Sequence, residues 1–300
     1  MTNTVNKVTE YLKSVLNDVI TQESKTTALQ ADPEIVRATS RAGTIELPTV
    51  TTTSLGNYSG GYAAANGSIA WTPYTLTHDR SAVFDIDRRE DNETAGVFNA
   101  TKIASEFVRS QVVPEIDATR IAAIVNAAAT KKVVTSTNLA KNVILDEIGI
   151  GLETVADVTG KDEGLIIYMN RAIMSMLRST TEVTKTRDVT SGKRTLDLGT
   201  MQIDGNQIVP VPSARMFHTL TYNAASSAAG FTGTGVVNFV IATPEYAQGV
   251  VAFEAPKFIA KEVNQNADAD RYAYRIFHDC FVPSQKVGGF YANIQTAISS

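Results

Sequence analysis

Over residues 85–130 the chain reads DIDRREDNETAGVFNATKIASEFVRSQVVPEIDATRIAAIVNAAAT, an apolar stripe of helical period interrupted by one proline. Val97, Ile103, Phe107, Val108 and Val112 recur at spacings near three and four, which places them on one side of a helix. Asp91, Asn92 and Thr94 offer N-cap oxygens, and Glu93 adds negative charge where the helix dipole favours it. Pro114 has no amide to donate and pushes Val113 away from helical angles, so a kink or brief break is expected there. Ile116, Ile121, Ile124 and Val125 resume the pattern within an Ala-rich segment of high helix propensity. A long bent helix with one apolar stripe is therefore the element around which the rest must pack. By itself it marks only the central helix of a mixed domain.

The preceding third of the chain does not read as a compact unit. Val5, Val8, Leu12, Val15, Leu16, Val19 and Ile20 form a second stripe, so residues 4–21 predict a short amphipathic helix. It either packs on its own domain or docks as an arm on a neighbouring subunit. Residues 24–44 are polar and irregular, with a turn at Asp32-Pro33, and suit an extended tether. Ile45, Leu47, Val50 and the Thr51–Thr53 run favour strand. Residues 56–67 are mostly Gly, Ala, Ser, Asn and Tyr, too poor in large apolar side chains to close a core. Ala82, Phe84 and Ile86 alternate with Ser81, Val83, Asp85 and Asp87, which predicts a returning strand with one buried face. Residues 45–87 thus read as a long hairpin with a Gly-rich tip, an arm that needs something else to lean on.

Downstream, residues 138–156 carry Leu139, Val143, Ile144, Ile148, Leu152 and Val155 at helical spacing. Residues 165–169 predict a short buried strand and 170–178 a helix. In 201–211 the Asp204-Gly205 pair marks a turn between two strands. Residues 236–242 have the composition of a fully buried strand, Pro244 opens a short helix, and 258–263 and 272–282 return to strand. Helices and strands are intermixed without a regular βαβ repeat, so the class is α+β. Three hundred residues imply two or more packing units, and an apolar content of 43% is enough for a buried core.

Charge and cysteine usage exclude several roles. The net charge of −4 gives no overall pull toward nucleic acid or acidic membrane. No apolar run approaches the roughly 20 residues of a membrane span, and the N-terminal MTNTVNKVTEYLKSV lacks the apolar core of a signal peptide. The Asn-X-Ser/Thr triplets at Asn57, Asn66, Asn92 and Asn99 are then chance. A single cysteine, Cys280, leaves no internal disulfide or multi-Cys metal site, and its apolar flanks mark a small core residue rather than a nucleophile.

Templates for catalysis fail one by one. His78, His218 and His278 are far apart and lack the spacing of a zinc helix. Around Ser59 the first glycine of a nucleophile elbow is replaced by Asn57. Ser191-Gly192-Lys193 lacks the upstream glycine of a phosphate loop, where Arg187 stands. Gly233-Thr234-Gly235 is followed by Asn238 where a dinucleotide fingerprint needs a small residue. Asn264, Asn266, Asp268 and Asp270 alternate like calcium ligands without the loop glycine or closing glutamate. The carboxylates of Asp85, Asp87, Glu90, Asp91 and Glu93 are interleaved with Arg88 and Arg89, which favours self-neutralisation and capping over acid–base chemistry. No catalytic, cofactor-binding or metal residue is assigned, and no cofactor is expected.

The order of parts resembles the major capsid proteins of tailed phages, whose fold is shared by encapsulin shells. FDIDRREDNETAG leads into the helix and VVPEIDATRIAAIVNAAA continues it, MQIDGNQIVPVPSARM resembles the family's hairpin followed by Val-Pro-X-X-Arg, and the segment from NFVIATPEYAQGVV to VGGFYANI resembles its closing strands. The resemblance implies an N-terminal arm (1–44), an extended two-stranded loop (45–87), a spine helix of the peripheral domain (88–130), an axial domain (131–248) and return strands of both domains (249–300). It implies a structural subunit of an icosahedral or prolate head, located in the virion and assembled in the host cytoplasm. Expected partners are copies of itself in hexamers and pentamers, a separate scaffolding protein and a portal protein; a decoration protein stays open, and packaged DNA is met only by non-specific proximity. Leu12 and Val15 on the arm, and Tyr58, Tyr62 and Trp71 on the loop, are the expected intersubunit contacts, aromatic anchors being favoured at interfaces. Some members cross-link covalently through an extended-loop lysine, whereas this chain has no lysine between Lys25 and Lys102. Two alternatives stand beside this one: an encapsulin-type compartment shell, and a soluble intracellular enzyme whose site is assembled from scattered residues.

Overall fold

The computed structural model describes residues 20, 23–34, 36–38, 43–58, 66–87, 100–134, 143–178, 202–223, 230–259, 263–264 and 269–295. Strands β1 (Arg37–Ala38), β2 (Thr44–Thr52), β3 (Gly67–Thr75) and β4 (His78–Asp87) precede the helical stretch. That stretch comprises α1 (Ala100–Phe107), a π-helical turn (Val108–Val112) and α2 (Val113–Ala127). Next come β5 (Thr130–Val134), α3 (Ile144–Thr159), β6 (Ile166–Asn170), α4 (Arg171–Arg178), β7 (Gln202–Ile203), β8 (Asn206–Val211), β9 (Phe217–Tyr222) and β10 (Phe231–Ala242). The chain closes with β11 (Gln248–Glu254), β12 (Lys257–Ile259), β13 (Ala269–Phe281) and β14 (Phe290–Gln295). Mixed helix and strand in three sheets bear out the α+β class.

The proline acts differently from expectation. Val113 keeps helical angles (φ −60°, ψ −46°), and its amide reaches back to the Val108 carbonyl, five residues away. Pro114 cannot bond the carbonyl four residues back, and the chain absorbs the defect by widening one turn upstream instead of breaking. The single apolar stripe is also a partial description. From Val113 to Ala122 every residue of α2 but Pro114 is buried, including Glu115, Asp117, Thr119 and Arg120. α2 lies between two sheets, so its polar side meets protein groups rather than solvent.

One of these sheets runs β5-β14-β10-β6-β8-β7, with β9 paired to β10. Its central strands are apolar on both faces. Tyr168, Val240, Ala242, Phe290 and Ala292 pack with Ile121, Ile124 and Val125 of α2, while Ile167, Met169, Phe239, Ile241 and Tyr291 pack with Ile148, Leu152 and Val155 of α3. Covering both faces explains the continuous apolar runs at 165–169 and 236–242. Gly151 of α3 sits so close to the sheet that a Cβ there would stand 2.7 Å from Ile241 and Tyr291 side-chain carbons. Asp204 and Gly205, at φ 49° and 75°, form the predicted turn from β7 to β8.

The other sheet has β13 at its centre, flanked by β11 and β12 on one side and by β4 on the other. The helical stretch from α1 to α2 covers it through Ala104, Val108, Val112 and Ile116, which meet Tyr272, Tyr274 and Ile276. This pairing corrects the hairpin. The strand returning from β2 is β3, in register from Thr44↔Thr75 to Thr52↔Gly67, whereas β4 joins β13 from Ala269↔Asp87 to His278↔His78. Ala82 and Phe84 do face inward, as their alternation required, but toward the helix. Of the predicted N-terminal helix only Ile20 is described; it packs against the cluster formed by the helical stretch and β13.

Candidate functional site

Two nine-residue strands, β2 and β3, form an arm whose base and outer part differ in character. At the base Ile45 and Leu47 are buried with Ala31, Leu76 and Val250, and Tyr74 meets Phe281 at a ring separation of 5.1 Å. Farther out the side chains of that same face are polar: Thr49 lies 3.5 Å from Thr72, and Thr51 lies 2.7 Å from Ser68. The opposite face carries Glu46, Pro48, Val50, Ile69, Trp71 and Pro73, because Glu46 pairs with Pro73, Pro48 with Trp71 and Val50 with Ile69 in a ladder of period two. Val50, Ile69 and Trp71 are 61%, 66% and 42% exposed. Arg37 of β1 reaches over the Trp71 ring at 5.6 Å. At the tip Thr53 and Asn66 exchange hydrogen bonds, beyond which Leu55 is fully exposed and Tyr58 largely so.

A second construction fastens the tether to the helix. The fully buried Asp117 carboxylate accepts hydrogen bonds from the Ser24 and Thr26 hydroxyls, each at 2.7 Å, and from the Lys25 and Thr26 amides. It also pairs with Arg215 at 2.8 Å. One turn on, Arg120 donates to the Thr26 carbonyl and to the Gln30 side chain.

A third cluster joins α2, β4, β13 and β9. Register places His78 opposite His278, with ring centroids 5.8 Å apart. Arg80 holds Glu115 at 2.8 Å and donates to the Asn223 and Gly230 carbonyls. His278 Nε2 lies 3.7 Å from Glu115, and His78 Nε2 lies 3.9 Å from Asp279. Burial pushes the His78 pKa down, against the pull of Asp279. Among the described residues no three His, Cys, Asp or Glu side chains converge as a metal site. Cys280 is buried and its thiol is pushed up to about 12 by that burial, which suits a core residue.

Of the expected contacts, Trp71 and Tyr58 stand exposed on the arm; Tyr62, Leu12 and Val15 lie outside the described residues. Val50 and Ile69, which were not among the expected contacts, stand beside Trp71 on the same face. Their signal was present, since Pro48-Val50 and Ile69-Trp71-Pro73 each alternate with small or polar residues. The histidine pair had no such signal, its members being joined by register across 200 positions.

No sequence-family model matches the chain, and no curated protein matches it. Solved structures do. A capsid structure of the cyanophage P-SCSP1u is similar at 12% identity with a TM-score of 0.63, covering 90% of this chain and 87% of that one. The bacteriophage PhiM1 mature capsid is similar at 13% identity with a TM-score of 0.62, covering 92% and 88%. A virus-like particle from Pyrococcus furiosus is similar at 12% identity with a TM-score of 0.54, covering 95% and 99%. The chain therefore has the fold of these phage capsid and particle shells, as its order of parts implied.

Proposed function

We propose that this chain is the major capsid subunit of a tailed-phage-like head, icosahedral or prolate, which assembles with its own copies around a genome. The observation that carries this function is the uncovered apolar face of the β2–β3 arm, on a fold shared with capsid shells. Fully burying a Val, Ile or Trp side chain stabilises by about 1.5–3 kcal/mol, and a neighbouring subunit is what a closed shell supplies at every arm. Each strand of the arm also contains a proline, which removes an amide from its ladder. That favours contact through side chains over strand addition. The division into arm, extended loop, spine helix, axial domain and return strands, the hexamers and pentamers, the scaffolding and portal partners, and assembly in a host cytoplasm belong to the same proposal. So does a purely structural, non-enzymatic role. Substituting Val50→Glu together with Ile69→Glu should leave a folded chain that builds no particles in electron micrographs, whereas Thr49→Glu on the polar face should assemble. Normal particles from the double variant would remove this face from the interface.

A second reading, a compartment shell holding protein cargo, is supported by the end-to-end coverage of the Pyrococcus particle subunit. Nuclease-protected nucleic acid inside purified particles favours the first reading; co-purifying protein cargo without it favours the second.

A further inference from the structure

A cavity of about 280 Å³ opens between β4 and the π-helical turn, close to the size of a small ligand cleft. Phe84, Phe107 and Tyr274 form an aromatic wall, with Phe84 and Phe107 edge to face at 4.8 Å. Its polar end consists of Arg80, Glu115 and His278. The first two are engaged with each other, and Arg80 also serves two backbone carbonyls, so this pair presents no net charge to an incoming group. His278 is different. Only 3% of its side chain is exposed, yet it makes no hydrogen bond among the described residues, Glu115 standing just beyond reach at 3.7 Å. An imidazole ring has two nitrogens, and here they are left to water or to a group that enters the cavity.

We propose that this cavity binds a compact neutral ring bearing a hydroxyl group, of which phenol is the simplest example. The ring would lie against the aromatic wall, where edge-to-face contacts are favoured, and the hydroxyl would exchange hydrogen bonds with His278. A carboxylate is disfavoured by the adjacent Glu115, and a plain hydrocarbon leaves the imidazole unsatisfied. The site does not depend on the proposed assembly.

Phenol and toluene are titrated into the purified chain by calorimetry. Two variants accompany the wild type: His278→Phe, which removes the polar end, and Gln111→Trp, which fills the cavity from an exposed position in its lining. The expected result is saturable phenol binding, weaker by roughly tenfold for toluene and for the His278→Phe variant, as loss of a buried hydrogen bond implies. Gln111→Trp should abolish binding while unfolding at the wild-type temperature. The proposal is overturned if phenol shows no saturable binding, if toluene binds as tightly, or if Gln111→Trp binds phenol unchanged. Should His278→Phe fail to fold, the ring-nitrogen NMR signals of this three-histidine protein decide: phenol must shift one set, and a spectrum unmoved at saturation sinks the idea.

Discussion

Single side chains carry two of the joints in this molecule. Asp117 has no exposed surface and gathers two hydroxyls, two amides and a guanidinium. Its replacement by alanine strands Arg215 and the tether's donors, and removing one partner of a buried pair costs about 3–5 kcal/mol. Asp117→Ala should therefore shift urea unfolding by that amount; a change below about 1 kcal/mol would mean that the tether is not held there. His78 gives the second joint a pH dependence. Its folded-state pKa lies below the ordinary histidine value because burial disfavours the charged ring. Stability from the neutral ring is thus fully present above about pH 6.5 and lost as pH falls toward the lowered value. Asp279, Glu115, Arg80 and His278 all face this ring and shape the shift. Between pH 7.5 and 5.5 the wild type should lose more thermal stability than His78→Phe, and parallel profiles would exclude His78 as the titrating group.

At the scale of elements, the arm and α2 show opposite solutions to burial. From Val113 to Ala122 α2 is enclosed, so its polar residues there are usable only because other elements supply partners, whereas Glu106, Arg109 and Gln111 upstream are exposed. The arm is enclosed only at its base. Replacing residues 56–67 by Asn-Gly removes nothing from the described core, and the circular dichroism of the variant should match the wild type. The same variant should build no closed particles. Normal particles would show that the tip takes no part in the proposed contact between subunits, and an unfolded chain would show that the segment belongs to the subunit's own core.

For the whole molecule, cohesion of the proposed shell must come from many repeated contacts. Residues 45–87 contain no lysine, so that segment cannot form an amide link to a neighbour through a lysine side chain. Assembled material should therefore run as a single band near 32 kDa on a denaturing gel without added cross-linker. A ladder of multimers under those conditions would require a different covalent chemistry.

Local pattern was enough for the elements whose burial is periodic or complete. The runs at 165–169 and 236–242, the Asp204-Gly205 turn and the inward alternation of Ala82 and Phe84 were all legible, since each depends on side chains a few positions apart. The order of these elements was enough to suggest the shell fold. Strand partnership was not legible: β4 turned from the hairpin to β13 because pairing is a choice among distant strands with similar alternation. Nor was the fate of Pro114, where packing on both flanks kept the helix continuous through a widened turn. The clusters around Asp117 and His278 depend on residues brought together from four regions of the chain. A polar residue on a helix looks solvent-facing in sequence, and only the packing of β4, β13 and the 24–30 segment against α2 puts Glu115, Asp117 and Arg120 in the interior.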